Sequence, residues 1–292
     1  MTRVAAAVDP TLLGRLLEWT QGFAGIEAHH AADGLFIGAA FRHDDLPDDP
    51  DAVFLVGLVI TFWFWFDDRA DRFLCAPETW DALIALGADP THVTTIDTPE
   101  TRFFQRLAGA LRERAGDPAE HRWWLSCSAD VFRSMRAEEQ MTRAGVSLSY
   151  AEALEIGADS TALTSILSAA DLAHGMNRAA RGADQRLARV ERYMCLSQRL
   201  LNDLNSAEKE RREGHAGRVS NIVLLLEATM SPAQARAFVE TQRHGYERMT
   251  LESIALLGPD DGFGRLIHDG MRNIRRWYET GPVRYENRGG AA

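Results

Sequence analysis

The chain has 292 residues, of which 46% are hydrophobic and 25% are charged, a composition typical of a globular protein with a large buried core. Its net charge of −10 gives little support for binding nucleic acid or an anionic membrane surface. The three cysteines, Cys75, Cys127 and Cys195, are odd in number and far apart, which excludes a disulfide framework and a zinc site. Because the N-terminal residues also lack the apolar run of a signal peptide, we expect a protein of the reducing cytoplasm.

Helix start signals recur along the chain, and no stretch keeps the alternating pattern of a β-strand for long. Asp9 and Pro10 supply a cap and a first-turn proline to the first predicted helix. Residues 42–51 are acidic and contain prolines, so they are predicted to form a surface loop. The remaining helices are predicted over about 52–73, from 99, from 118, over 149–176, over 184–213, within 219–230, from 232, and from 260 or 261 to about 278. The prediction is an all-α, single-domain helical bundle of about ten helices over 1–292, frayed at about 1–9 and 286–292.

The most apolar stretch, Val53 to Phe66, runs directly into Asp67, Asp68 and Asp71. It is too short, and too acidic at both ends, to span a bilayer, which predicts a core helix that carries carboxylates to an apolar pocket. On a helix Asp67 and Asp71 share one face, whereas Asp68 points to the side. Carboxylates near a helix C-terminus oppose the macrodipole, and Mg²⁺ would compensate for them. Taken alone, the cluster could equally be solvated charge at a helix end.

A second polar stretch follows the apolar residues that begin at Leu196. Asn202, Ser206 and Glu210 are spaced four residues apart, so one helical face presents an amide, a hydroxyl and a carboxylate oxygen over two turns. Three such oxygens form a plausible chelate for one Mg²⁺ ion, and leaving them buried without a partner would be costly. The alternative is a helix that reaches the surface with ordinary polar residues.

With both motifs in place, the sequence resembles the class I terpene synthases, in particular the compact bacterial single-domain cyclases. The aspartate-rich motif DDxxD of that family reads here as Asp67, Asp68 and Asp71. The second motif, N-D-x-x-S-x-x-x-E, has every position filled, by Asn202, Asp203, Ser206 and Glu210. The C-terminal R-Y pair reads as Arg284–Tyr285, after a helix that carries Trp277.

The resemblance implies a prenyl diphosphate substrate and three Mg²⁺ ions that bridge its diphosphate to the two motifs. The metal ligands that it implies are Asp67, Asp68, Asp71, Asn202, Ser206 and Glu210. The diphosphate-binding residues that it implies are Lys209, Arg284 and Tyr285, and Asp67, Asp71, Arg284 and Tyr285 are the expected catalytic residues. The aromatic residues expected to line the carbocation pocket are Phe62, Trp63, Phe64, Phe66 and Trp277, although core packing explains most of them as well.

One segment departs from the family pattern. In the family, a broken helix between the two motifs carries an arginine that senses diphosphate, then an acidic linker and a small effector residue. Here Asp159 and Ser160 match the linker and the effector, and Gly157 is the predicted break, but Ile156 stands at the arginine position. Either the alignment slips here or the arginine is absent. If it is absent, diphosphate-triggered closure must rely on Arg284, Tyr285, Lys209 or another base such as Arg178 or Arg199, and a substrate other than a plain linear diphosphate becomes more plausible.

The predicted function is ionisation of a prenyl diphosphate and cyclisation of the carbocation to a terpene. Small residues near the presumed break (Gly157, Ala158 and Ala162) favour a C20 chain, either linear geranylgeranyl diphosphate or a pre-cyclised C20 diphosphate, over C15 farnesyl diphosphate. The expected partners are the substrate, a second copy in a homodimer, and a class II cyclase upstream.

Three other functions remain open from the sequence. A chain-elongating prenyltransferase would carry two aspartate-rich motifs, whereas this chain has one. An HD-type phosphohydrolase would have to use the pairs His43–Asp44 or His268–Asp269, and no ordered set of further histidines accompanies them. A non-catalytic helical protein would be expected to lose its metal ligands.

Overall fold

The computed structural model describes residues 4, 7–41, 48–182, 184–212 and 221–281. Within these ranges every regular element is helical, as predicted. The α-helices are α1 (Pro10–Trp19), α2 (Ala28–Gly38), α3 (Pro50–Asp71), α4 (Pro77–Ala88), α5 (Pro99–Arg114), α6 (Pro118–Ala144), α7 (Tyr150–Ser160), α8 (Leu163–His174), α9 (Gln185–Arg212), α10 (Ile222–Glu227), α11 (Pro232–Leu257) and α12 (Gly262–Glu279). A short 3₁₀ helix, Arg178–Arg181, lies between α8 and α9.

Helix α3 is the centre of the molecule. It packs against α1, α2, α5, α6 and α8, and all its residues from Ala52 to Phe66 except Phe64 are buried. By length and composition α3 could cross a membrane, but 78% of its most apolar stretch is buried within the protein. This burial is what a core helix requires, because its apolar side chains face other helices on every side.

Helices α2 and α3 approach each other more closely than ordinary side chains allow. A Cβ atom on Gly34 of α2 would lie 2.3 Å from Thr61 Oγ1 and 2.6 Å from the carbonyl oxygen of Gly57, both on α3. Neither α2 nor α4 was predicted from the sequence. In α2 the buried residues include His30 and Asp33, so the segment lacks a continuous apolar stripe.

The predicted helix starts are largely confirmed by their caps. Asp9, Thr98, Asp117, Ser149, Ser231 and Asp261 each accept hydrogen bonds from backbone N–H groups of the first helical turn. The segment predicted over 149–176, with a break at Gly157, forms two helices, α7 and α8. The break lies at Thr161 and Ala162, where Ala162 adopts a left-handed φ of 60°. Gly157 lies inside α7, so the prediction that it marks the break is wrong.

Candidate active site

A cavity of about 200 Å³ opens between α3, α6, α9, α12 and the junction of α7 with α8. One part of its wall is apolar and aromatic, with Trp63, Phe64, Ile166 and Trp277. The other part is polar. Its side chains are Asp67, Asp71, Glu138, Glu139, Gln198, Arg199, Asn202 and Glu210. The C-terminal end of α3 and the middle of α9, which carry the two sequence motifs, therefore meet at one cavity.

The aspartate-rich motif is divided by the helical turn. Asp67 and Asp71 line the cavity, whereas Asp68 does not. The Asp68 carboxylate lies 3.1 Å from Nε2 of the buried His30 on α2. The other ring nitrogen of His30 accepts the backbone N–H of Glu27 at 3.0 Å, so a neutral His30 ring donates from Nε2 to Asp68. The structure thus brings two of the three predicted aspartates to the cavity and holds the third against α2.

His29, His30 and Asp68 form a group whose ligand atoms lie within 4.8 Å of one another. In the neutral ring Nδ1 of His30 holds the Glu27 N–H, and Nε2 carries the proton that Asp68 accepts. Because neither nitrogen keeps a lone pair for an ion, the group is better explained as a hydrogen-bonded support for Asp68 than as a metal site.

The second motif follows the predicted spacing along α9. Asn202 and Glu210 line the cavity, and Asn202 donates from Nδ2 to the hydroxyl oxygen of Tyr278 at 3.0 Å. Ser206 is buried and is not part of the cavity wall; its Oγ accepts from Nδ2 of Asn221 at 3.0 Å. Asp203 faces away from the cavity, toward Arg199 and the backbone N–H of Ile222.

A divalent cation fits this donor set. Carboxylate and amide oxygens are the ligands that Mg²⁺ prefers, and the described wall carries five carboxylates against one positive side chain, Arg199. The Oε2 atom of Glu210 is buried and makes no hydrogen bond to any described residue. An ionised oxygen in this position is costly unless a cation or a donor reaches it.

Arg199 is held in place by its neighbours. Its Nε lies 3.0 Å from Asp203 Oδ1, and its Nη2 lies 3.4 Å from Glu138 Oε1. Gly157 of α7 makes room for the guanidinium, because a Cβ there would lie 2.5 Å from Nε. Burial alone would lower the pKa of Arg199, but Asp203, Glu138 and Glu210 outweigh it and raise this pKa, so the group stays protonated.

The other basic residues considered from the sequence do not line the cavity. Arg178 is buried, but it pairs with Glu191 at 2.9 Å and donates to the carbonyl oxygen of Arg181. Lys209 lies on α9 outside the described cavity wall. Ile156, at the position where the family has arginine, is also absent from that wall. Arg284 and Tyr285 lie outside the described residues.

Three of the five predicted pocket aromatics line the cavity. Phe64 stacks on Trp277 at a centroid distance of 5.3 Å, and the Trp277 Nε1 donates to Asp33 at 3.0 Å. The Trp63 Nε1 donates to Ser165 at 3.1 Å. Phe62 and Phe66 are fully buried and do not line this cavity. They lie on the sides of α3 that pack against Phe103, Phe132 and Trp80.

The effector segment is only partly at the cavity. Ser160 lines the wall together with Thr161 and Ala162. Asp159, the predicted linker, is 58% exposed and pairs with Arg192 at 2.5 Å on the surface. The prediction of Asp159 as a site residue is therefore not supported by its position.

Several residues of this site were not predicted from the sequence, among them Glu138 on the cavity wall and Asn221, which contacts Ser206 and Glu210. Glu138 belongs to a stripe at helical spacing (131, 135, 138 and 142) that could have been read from the sequence. Asn221 could have been identified from the sequence only as a helix cap, because it precedes a short apolar run. Its partners on α9 lie 11 to 18 positions earlier in the chain, and helical spacing does not predict such contacts.

The family assignment agrees with this geometry. The model for terpene synthase family 2, C-terminal metal binding, matches residues 58–248, about two thirds of the chain. That range includes both motifs and most of the described cavity wall.

Solved structures share the fold. The linalool/nerolidol synthase from Streptomyces clavuligerus, solved with 2-fluorogeranyl diphosphate, has a TM-score of 0.75 and 21% identity, over 92% of this chain and 99% of that one. The 2-methylisoborneol synthase from Streptomyces coelicolor A3(2), solved with Mg²⁺ and geranyl-S-thiolodiphosphate, has a TM-score of 0.78 and 15% identity, over 96% and 94%. The SVS_A2 protein from ancestral sequence reconstruction has a TM-score of 0.77 and 16% identity, over 95% and 88%. The chain belongs to terpene synthase family 2 and is a class I terpene synthase, a metal-dependent lyase that ionises a prenyl diphosphate.

Proposed function

We propose that this chain, acting as one helical domain, ionises a linear prenyl diphosphate of 10 or 15 carbons and cyclises the resulting carbocation. The observation that carries the proposal is the polarity of the cavity. Oxygen ligands from α3 and α9 line one part of its wall, and aromatic rings from α3 and α12 line the other. A diphosphate with an apolar tail matches both parts.

The metal-binding residues of the proposal are Asp67 and Asp71 on α3 and Asn202, Ser206 and Glu210 on α9. When bound there, Mg²⁺ supplies Lewis-acid stabilisation of the diphosphate leaving group. The relatives give this choice of ion some weight, because one of them was solved with Mg²⁺. The buried Oε2 of Glu210 and the surplus of carboxylates support the same role for the residues of this chain.

Arg199 is our candidate for the side chain that binds the diphosphate directly. It is the only positively charged residue among the described residues of the cavity wall, and its ion pairs hold the guanidinium in one orientation. Arginine recognises phosphate oxygens well because its N–H groups form a planar fork. This role would compensate for isoleucine at position 156.

The aromatic wall would stabilise the carbocation and exclude water. The rings of Trp63, Phe64 and Trp277 present π faces or edges to an otherwise apolar space. A cation near an aromatic face is stabilised by about 2 kcal/mol or more once desolvated. Hydrogen bonds at Trp63 and Trp277 fix the orientation of these rings, which supports a defined product.

The chain length is proposed from the size of the cavity. Of the three small residues that favoured a C20 chain, Gly157 has its space occupied by Arg199 and Ala158 is buried outside the wall, so only Ala162 lines the cavity. A volume of about 200 Å³ also lies below the roughly 300–1,000 Å³ of typical ligand pockets. Relatives with the same fold were solved with ten-carbon analogues. A C20 substrate, linear or pre-cyclised, is the competing outcome.

Cytoplasmic location, a homodimer and an upstream class II cyclase stay predictions. For the HD-type alternative, His268 and Asp269 lie on α12 with the His268 side chain 50% exposed, and they contact each other rather than a cavity. His43 and Asp44 lie outside the described residues.

The test is an incubation of the purified protein with Mg²⁺ and, separately, C10, C15 and C20 prenyl diphosphates, with extracted products identified by mass spectrometry. We expect cyclic products from C10 or C15 and none without Mg²⁺. The variant Glu210→Gln should abolish turnover, whereas the matched Glu113→Gln, on α5 outside the cavity wall, should not. A product from the C20 substrate alone would refute the chain length, and no turnover of any substrate would refute the proposal for linear diphosphates.

A further inference from the structure

Asn221 lies at the contact between α9 and α10, and it is not one of the residues assigned above to the metal site. Its side chain is 1% exposed. Nδ2 of Asn221 lies 3.0 Å from Ser206 Oγ, 3.1 Å from Glu210 Oε1 and 3.1 Å from the carbonyl oxygen of Asp203. One amide group therefore reaches three oxygens on two consecutive turns of α9.

The orientation of this amide follows from its other hydrogen bonds. Oδ1 of Asn221 accepts the backbone N–H groups of Val223 at 3.0 Å and Leu224 at 3.3 Å, which caps the N-terminus of α10. With the carbonyl oxygen used in this way, the NH₂ group must face α9. A second connection fixes the same junction, because the N–H of Ile222 donates to Asp203 Oδ2 at 3.0 Å.

The two carboxylate oxygens of Glu210 therefore have different surroundings. Oε1 is held by Asn221, whereas Oε2 is buried and makes no hydrogen bond to the described residues. Glu210 also lines the cavity. Because Asn221 holds Oε1, the carboxylate of Glu210 cannot rotate freely. The same Nδ2 group of Asn221 also holds the hydroxyl of Ser206.

We propose that Asn221 is the positioning residue of the α9 metal site, which holds Ser206 and Glu210 in the arrangement that binds a divalent cation together with diphosphate. The inference rests on the proposed function, because it assumes that these two residues are ligands. Asn221 acts through them and does not touch the substrate. Partners that orient metal ligands commonly contribute 10–100-fold to metal affinity.

Two variants separate the contact to α9 from the cap of α10. Asn221→Ser keeps a good N-cap residue but removes the NH₂ donor, and Asn221→Asp keeps the cap and places a carboxylate beside Glu210. The matched control is Asn205→Ser, because Asn205 is an exposed amide on the same helix whose Nδ2 bonds only to the carbonyl oxygen of Leu201 among the described residues. The probe is inorganic diphosphate, titrated calorimetrically into the full-length protein over a series of Mg²⁺ concentrations.

We expect Asn221→Ser to raise the Mg²⁺ concentration needed for diphosphate binding by about 10–100-fold, while Asn205→Ser leaves it unchanged. Asn221→Asp should lower the thermal midpoint without Mg²⁺ and recover most of the loss when Mg²⁺ and diphosphate are added. If the wild-type protein binds diphosphate with Mg²⁺ and Asn221→Ser binds it equally well, the inference is wrong. A midpoint of Asn221→Asp that is lowered equally with and without Mg²⁺ would also overturn it, because a purely structural role predicts that result. If the wild-type protein shows no Mg²⁺-dependent binding, the proposed function fails instead.

Discussion

The substitution Gly157→Ala tests whether Arg199 is confined as the structure indicates. The added methyl carbon would lie 2.5 Å from Nε, 2.6 Å from Cζ and 2.9 Å from Nη1 of Arg199. Ordinary contact begins at 3.4 Å, so the guanidinium must move by roughly 0.9 Å. A free arginine would do so at little cost, but this one is buried and paired with Asp203 and Glu138.

The expected magnitude combines two opposing terms. Alanine in place of glycine inside a helix stabilises it by about 1 kcal/mol. Inserting a methyl group into a packed site costs about 1–3 kcal/mol. The matched control is Gly109→Ala in the interior of α5, where nothing lies within 4 Å of the new methyl group. The free energy of unfolding of Gly157→Ala should therefore be about 1–3 kcal/mol lower than that of Gly109→Ala.

The assay is thermal or urea unfolding of both variants, followed by calorimetric titration with diphosphate at saturating Mg²⁺. For a chain of this size, 1 kcal/mol corresponds to roughly 2–4 °C in Tm. Displacing the guanidinium should also weaken diphosphate binding about tenfold, because the charge-assisted hydrogen bond proposed between Arg199 and diphosphate would be strained. If Gly157→Ala is as stable as Gly109→Ala and binds diphosphate like the wild type, Arg199 is not confined as the structure indicates.

Three other predictions follow from the site and the core. Asp67→Asn should reduce turnover at least 100-fold, because it removes a charged ligand from the cavity wall, with an unchanged far-UV circular dichroism spectrum; activity near wild type would contradict this assignment. Phe64→Leu should change the product ratio measured by gas chromatography, because Phe64 lines the cavity. Phe62→Leu should only lower the free energy of unfolding by about 1 kcal/mol, since Phe62 is buried outside the cavity. An altered product ratio in Phe62→Leu would contradict this division between Phe64 and Phe62. Burial raises the pKa of Asp171 to about 7, so the folded protein keeps a proton that the unfolded chain releases near pH 4. The free energy of unfolding should therefore fall between pH 4 and 7, by at most about 4 kcal/mol. Asp171→Asn should flatten that pH dependence in urea unfolding, and an unchanged slope would show that Asp171 is not its source.

The parts of the fold that were predicted correctly depend on signals within one segment. The apolar run of α3 and the caps at Asp9, Ser149 and Ser231 lie within a few residues of the structure that they specify. The same holds for the faces of α3 and α9 that bring Asp67, Asp71, Asn202 and Glu210 to the cavity, since these faces follow from helical spacing. Helix α2 lacked such a signal. Its position is set by the close contact of Gly34 with α3, and its polar residues His30 and Asp33 are buried because α3 and α12 supply partners.

The contacts that complete the site could not be predicted in this way, because helical spacing identifies a face but not the helix that it meets. Gly157 looked like a break in a helix, yet its structural effect is to admit a side chain from α9. From the sequence, Arg199 was one of several bases that could replace the arginine missing at position 156, and helical spacing did not show which of them reaches the cavity. In the folded chain Arg199 brings a positive charge to the cavity from α9. A search of related sequences for this arrangement should therefore look for a small residue at 157 together with an arginine at 199. A larger residue at 157 would occupy the space of the guanidinium, and a small residue at 157 without the arginine would leave that space unfilled.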